Sequence, residues 1–311
     1  MSNIAFLFSG QGSQYPGMGK SLYEGSPAAR KVFETADQIR PGTSAQCFTG
    51  TAAELSVTQN TQPCLYCVDL AAARALEEAG VAADFAAGFS LGEVAALTFA
   101  GVFSDEDGFA FVTKRGQAME AAARQTPGAM AAVLKLSNET VEQLCSEFSQ
   151  VWPVNYNCPG QLVVAGEKKE LSRFCEKAAA AGGKAVPLAV SGGFHSPLME
   201  PAAKELSPVL EQLAPAAPRL PVYANVNARP YDEETARELL LRQVKSPVRW
   251  QETLEALAAQ GVDTFIECGA GKTLSGLVKK TLKGVTVLRV EDMETLKAAV
   301  EAVKSGKEGQ I

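Results

Sequence analysis

The sequence predicts an α/β protein with a mainly parallel sheet covered by helices on both faces, and a small ferredoxin-like unit inserted in it. Two observations carry this. Short apolar runs alternate with longer amphipathic ones along most of the chain, as parallel sheets with crossover helices require. Between residues 127 and 191 the order changes to strand-helix-strand-strand-helix-strand, the ferredoxin-like order. The expected division is therefore a large subdomain from 1–126 and 192–311, and a small one from 127–191.

In order, NIAFLF (3–8) reads as a strand running into the glycine-rich loop SGQGSQYPGMG. Ser26-Pro27 opens a helix through about Asp37, with serine at the N-cap and proline in the first helical position. A long helix is expected over 61–79. DFAAGF is a short strand entering Ser90, and LGEVAALTFAG leaves it as a helix. Another helix, over 106–123, ends near Thr126-Pro127-Gly128. In the small unit, GAMAAVLKL, WPVNYN, QLVVAG and KAVPLAV are strands, and NETVEQLCSEFS and KKELSRFCEKAAAAGG are helices. The larger pattern then resumes with helix PLMEPAAKELSPVLEQL, strand PVYANV, and helices over DEETARELLLRQV and WQETLEALAAQG. Strand TFIECGAG, helix KTLSGLVKKTL, strand VTVLRV and a helix to about Val303 complete it. The tail SGKEGQI is expected to fray.

Composition excludes several classes. With 29 Lys+Arg against 35 Asp+Glu, the net charge of −6 supplies no broad basic field for a nucleic-acid backbone. The N-terminal apolar run has no basic lead and is too short for a signal core, and no later run approaches bilayer length. Seven scattered cysteines suggest reduced thiols and a cytoplasmic setting. The one CxxC, Cys64 to Cys67, lies in an amphipathic helix where core packing is the expected role; a zinc site would need two further ligands. Two phosphate-loop readings fail. After Gly10 and Gly12, Tyr15 holds the third glycine's place in a dinucleotide fingerprint. Ahead of Gly19-Lys20-Ser21, Gln14 stands where a Walker loop needs its first glycine.

Gly88-Phe89-Ser90-Leu91-Gly92 is the more informative loop. A strand enters, a helix leaves, and the glycines permit a sharp turn that lifts the serine above the sheet edge. The N–H of Leu91 then lies at a helix N-terminus, suited to an oxyanion. On residues alone, a plain tight turn stays open. A serine nucleophile needs a base, and His195 is the only histidine. It sits in SGGFHSPLM, at the junction of the two subdomains, where clefts form. A lone histidine that is merely packed stays open too.

GFSLGEVAAL, together with FLFSGQGSQYPGMG, VNYNCPGQLVVAG, SGGFHSPLM, RQVKSPVRW and FIECGAGKTLSGL, resembles the malonyl-CoA:acyl carrier protein transacylases, a family that includes the acyltransferase domains of fatty acid and polyketide synthases. The motifs run in order from residue 6 to about 280. The resemblance implies an α/β-hydrolase-like core with an inserted ferredoxin-like subdomain. It implies transfer of malonyl from malonyl-CoA to the phosphopantetheine thiol of acyl carrier protein, by way of an ester on Ser90 with His195 as base. The backbone N–H groups of Leu91 and Gln11 would hold the oxyanion, and the main-chain carbonyl of Gln243 would orient the histidine. Arg115 would grip the malonyl carboxylate, Met119 would border the acyl pocket, and Gln62, Asn157 and Asn225 would supply supporting hydrogen bonds. The coenzyme A thioester is substrate, with no further cofactor and no metal, and a monomer is expected.

Two departures stand out. Phe89 replaces the histidine that commonly precedes the nucleophile, and Ala270 replaces the proline of a Gly-Pro-Gly turn. Phe194 resembles malonyl-selective members, since its ring would crowd an α-branched acyl group. Carrier proteins are acidic, so docking is expected at a basic patch: Lys168, Lys169 and Arg173, or Lys279, Lys280 and Lys283. The competing activities are a thioester hydrolase on the same scaffold and an inactive carrier-docking module.

Overall fold

The strand Asn3–Phe8 (β1) is buried on both faces, and that decides the layering. Ile4, Phe6 and Phe8 point into one apolar core, while Ala5 and Leu7 point into another. A two-residue side-chain period on a doubly covered strand has this consequence. In the computed structural model, which describes residues 3–232 and 234–308, β1 is the centre of a five-stranded parallel sheet. The other strands, in chain order, are Phe85–Gly88 (β2), Ala129–Leu134 (β3), Val151–Cys158 (β4), Gln161–Gly166 (β5), Lys184–Pro187 (β6), Val222–Tyr223 (β7), Val262–Cys268 (β8) and Thr286–Val290 (β9). The parallel sheet has the order β7-β2-β1-β8-β9. The chain therefore builds outward from β1 in both directions. The loops after β1, β2 and β8 diverge at this switch point, where open α/β sheets form their ligand crevices.

The second sheet, β4-β5-β3-β6, is antiparallel throughout. Ala131, Val133, Leu162 and Val164 face the helices Asn138–Cys145 and Lys168–Ala180 and form a core with Val141, Leu171 and Phe174. Met130, Val154, Val163 and Ala165 face the other way and join the large core. The two bodies are also tied by backbone: the Val248 N–H donates to the Val154 carbonyl at 2.8 Å, and the Tyr156 N–H to the Val248 carbonyl at 2.9 Å. Beside this contact, residues of both bodies line shared cavities.

Several elements differ from expectation. PVYANV is a strand only at Val222–Tyr223, because the chain folds back at once: the Ala224 N–H donates to the Arg229 carbonyl and the Ala228 N–H to the Ala224 carbonyl. KAVPLAV ends as a strand at Pro187, and the Val190 N–H turns back to the Leu188 carbonyl. The long helix starts at Thr58, ahead of the expected 61, and two short helices, Thr43–Thr49 and Ala52–Leu55, precede it. The helix expected over 232–244 spans Ala236–Gln243, and residue 233 lies outside the described residues. The last helix continues through Glu308 into the expected frayed tail, of which 309–311 lie outside the described residues. No described helix is long and apolar enough to cross a membrane.

Candidate active site

Ser90 follows the C-terminal end of β2 with φ 56° and ψ −107°, a strained backbone for a residue with a Cβ. The flanking glycines explain how the strain is held. A Cβ on Gly88 would lie 2.0 Å from the Gly92 carbonyl carbon, and one on Gly92 would lie 2.3 Å from the Phe8 carbonyl oxygen. Strand, turn and helix thus touch backbone to backbone. The turn is further pinned by Asn225, whose Oδ1 accepts from the Ser90 N–H at 2.8 Å and whose Nδ2 donates to the Gly88 carbonyl at 2.7 Å. The short β7 is what delivers Asn225 to this point.

His195 lies on the loop after β6 and also has a left-handed backbone, φ 61°. Its Nε2 is 2.7 Å from the Ser90 hydroxyl, and its Nδ1 is 2.9 Å from the Gln243 carbonyl oxygen. A carbonyl can only accept, so Nδ1 carries the proton and the Nε2 lone pair faces the serine. Burial, and next the charge of Arg115, push the imidazole down to about 4, against the bonds to the Gln243 and Ser246 backbone. The ring is therefore neutral at pH 7 and able to accept a proton.

Arg115, on the helix Asp105–Gln125, is 1% exposed and reaches the same hydroxyl. Its Nη2 donates to the Ser90 Oγ at 3.1 Å and to the Gln243 Oε1 at 2.8 Å, and its Nη1 donates to the Gln62 Oε1 at 2.6 Å. Its Nε–H is buried with no partner among the described residues. Burial lowers the guanidinium to about 10, opposed by the charge of Glu93, so it remains cationic at neutral pH. Gln62 is held in turn by donating to the Met119 sulfur at 3.4 Å. Gln243 is bonded through three groups: its carbonyl to His195, its Oε1 to Arg115, and its Nε2 to the Ser90 carbonyl at 2.7 Å.

Ser90, His195, Arg115 and Gln62 border a cavity of about 100 Å³ that Gln11, Leu91, Met119 and Phe194 also line. Among the described residues, the backbone N–H groups of Gln11 and Leu91 have no hydrogen-bond partner. Phe89 borders the cavity while its ring packs edge-on against Trp250, 5.4 Å between centroids. Asn157 does not reach this cavity. It lines an adjoining one of about 220 Å³, and Asn155, two residues earlier, borders both. The Oδ1 atoms of both asparagines are buried without partners among the described residues. In the GAG turn after β8, Gly269 has φ 124° and abuts Asp69, which its position requires; Ala270 is simply buried.

Of the two basic clusters, Lys168, Lys169 and Arg173 are exposed on the outer helix of the small sheet and line neither cavity. Lys280 donates to the Gln161 Oε1 at 3.3 Å, and Gln161 lines the adjoining cavity. Cys64 and Cys67 are buried thiols, and no cluster of metal-ligating residues occurs among the described residues.

Sequence reasoning missed Glu93 and Tyr231. Glu93 is fully buried beneath the serine turn, accepting from the Asn225 N–H at 2.7 Å and from the Tyr231 hydroxyl. A carboxylate in the first turn of a helix is ordinary, so only its position three residues after Ser90 could have drawn notice.

The family model for the acyl transferase domain matches residues 5–305. The chain is 44% identical to the malonyl CoA-acyl carrier protein transacylase of Bacillus subtilis, over 98% of each chain. The crystal structure of a malonyl CoA-acyl carrier protein transacylase from Clostridium perfringens superposes with a TM-score of 0.95 at 37% identity, covering 98% of each chain. A malonyl-transacylase in complex with a type II PKS acyl-carrier protein gives a TM-score of 0.93 at 38% identity, covering 97% of this chain and 100% of that one. The chain belongs to the acyl transferase family, among the malonyl CoA-acyl carrier protein transacylases.

Proposed function

We propose that the chain moves a malonyl group from malonyl-CoA to the phosphopantetheine thiol of acyl carrier protein through an ester on Ser90. The observation that carries this is the convergence on one hydroxyl of a neutral imidazole at 2.7 Å and a buried guanidinium at 3.1 Å. His195 takes the serine proton as Oγ attacks the thioester carbonyl. The Gln11 and Leu91 N–H groups donate to the developing oxyanion, where losing one donor costs about 3 kcal/mol of transition-state stabilisation. His195 then protonates the departing coenzyme A thiolate. The carrier thiol enters and the steps run in reverse. Throughout, the Gln243 carbonyl keeps the imidazole tautomer, and the Arg115 guanidinium holds the malonyl carboxylate by charge-assisted bonds.

The thioester's arm is assigned to the adjoining cavity, whose apolar walls and two unpaired asparagine amide oxygens suit a chain of alternating methylenes and amides. Carrier docking is assigned to Lys279, Lys280 and Lys283, since Lys280 stands beside that cavity. We read the large body, 1–126 and 192–311, as α/β-hydrolase-like and 127–191 as ferredoxin-like; the parallel sheet and the β4-β5-β3-β6 order support that division. In this reading the coenzyme A thioester is substrate, no further cofactor takes part, and the protein acts as a cytoplasmic monomer.

With the imidazole at about 4, kcat/KM is expected to hold steady well below pH 6.5 and to fall only as the pH approaches 4, when the base becomes protonated. A pH-rate profile checks this; an acid limb near 6.5 contradicts it. Incubation with malonyl-CoA, with and without carrier, tests the activity itself. Malonyl-carrier formation is expected, and rapid malonate release indifferent to carrier would assign the site to hydrolysis.

A further inference from the structure

Among the buried carboxylates that the steps above leave unused, Glu93 is the one whose charge reaches Arg115. Glu93 lies in the first turn of the helix Leu91–Phe99, three residues after the nucleophile and fully buried. Its Oε2 accepts from the Asn225 N–H and its Oε1 from the Tyr231 hydroxyl. Asn225 in turn bonds Ser90 and Gly88, so a single residue separates this carboxylate from the nucleophile's backbone. The ionisable groups facing Glu93 are Tyr231, from the segment after β7, and Arg115, from the helix Asp105–Gln125. His195 also feels the Arg115 charge.

Arg115 donates only to neutral acceptors: Gln62, Ser90 and Gln243. Among the described residues no carboxylate forms an ion pair with it, and the field of Glu93 is what favours its charge against burial. A malonyl carboxylate bound to Arg115 brings a second anion into the same dry space. Two buried carboxylates beside one cation cannot both stay ionised without a large desolvation and repulsion cost.

We propose that Glu93 is a positioning residue that trades charge with the substrate: it is ionised while Arg115 lacks a carboxylate, and becomes protonated when malonyl occupies Arg115. The proposal rests on the reading of Arg115 as the malonyl clamp. Acylation itself moves the serine proton to the coenzyme A thiol with no net change, and malonate keeps its charge. The extra proton comes from solvent and ends on the Glu93 carboxyl. Acetyl brings no anion and draws no proton.

Glu93 is poised for this exchange. Burial lifts it to about 7, against the lowering by Tyr231, Asn225, Gln243 and Arg115, so a modest added negative charge tips it near neutral pH.

The test is a proton count. Protein is mixed with malonyl-CoA or acetyl-CoA at pH 7.5 in weak buffer with an indicator, and protons are normalised to acyl-enzyme measured by intact mass. Malonyl is expected to take up about half to one proton more per adduct than acetyl. Glu93→Gln should erase the difference. Tyr231→Phe, which removes a donor to the carboxylate, should move the pH at which the difference appears upward. Equal counts for the two thioesters in the unmodified protein, with both adducts present, overturn the proposal; so does a difference undiminished in Glu93→Gln. If that variant does not fold, the unmodified protein and Tyr231→Phe still decide. Absence of any malonyl adduct would be a distinct failure, that of the transferase reading.

Discussion

Ser90→Ala is expected to abolish the malonyl adduct and to lower malonyl transfer by on the order of a millionfold, the scale seen when a nucleophile is lost from a working base-nucleophile pair. Alanine keeps the Cβ and so keeps whatever holds φ at 56°. Gly88, Gly92 and the Asn225 bonds to backbone are untouched. Two contacts vanish, those to His195 and Arg115. The Arg115 Nη2 keeps Gln243, and the His195 Nδ1 keeps its carbonyl. The unfolding transition should therefore stay within about 1 kcal/mol of the parent, since surviving partners limit the penalty. Rate and stability measured together separate a lost nucleophile from a lost fold.

Arg115→Ala is expected to cut malonyl transfer by about 10²- to 10⁴-fold more than acetyl transfer. Removing one partner from a buried charge pair costs about 3–5 kcal/mol, because the other charge is left in a dry site. For malonyl, that stranded charge is the substrate's own carboxylate. Acetyl itself strands no charge, and the loss reduces to the contact with Ser90 and the support of the Glu93 carboxylate, which can take up a proton instead. Alanine also frees the Gln62 and Gln243 amide oxygens, so some destabilisation accompanies it. The decisive quantity is the malonyl-to-acetyl ratio, which a general loss of folding does not alter. An equal fall for both thioesters contradicts the clamp.

How much of this was legible in the chain depended on whether the signal was local. The change of element order at 127–191 was visible because strand and helix periods differ over short windows, and a separate antiparallel sheet is present there. The serine turn was legible from its two glycines, whose necessity lies in backbone contacts of 2.0 and 2.3 Å. His195 stood out because the chain has no other histidine. Arg115 had no such mark. It sits in a helix among ordinary polar residues, and only the family resemblance singled it out. Asn157 was named where Asn155 borders the cavity: the two share a face of β4, and how far that strand slides along the large body is set by the backbone link to Val248. The early end of β7 was hidden for a similar reason: PVYANV alternates like a strand, and the turn that interrupts it depends on Arg229. Glu93 and Tyr231 meet across 138 positions of sequence, and no spacing rule joins them.

The central claim is that the hydroxyl at position 90, activated by His195, carries the malonyl group between two thiols. Peptide mapping by mass after a brief exposure to malonyl-CoA and an acid quench tests it most directly. The account predicts one added malonyl group on the peptide containing Ser90, discharged when holo-carrier is supplied before the quench. A malonyl group found on another residue, or an adduct on Ser90 that carrier cannot discharge, would contradict it.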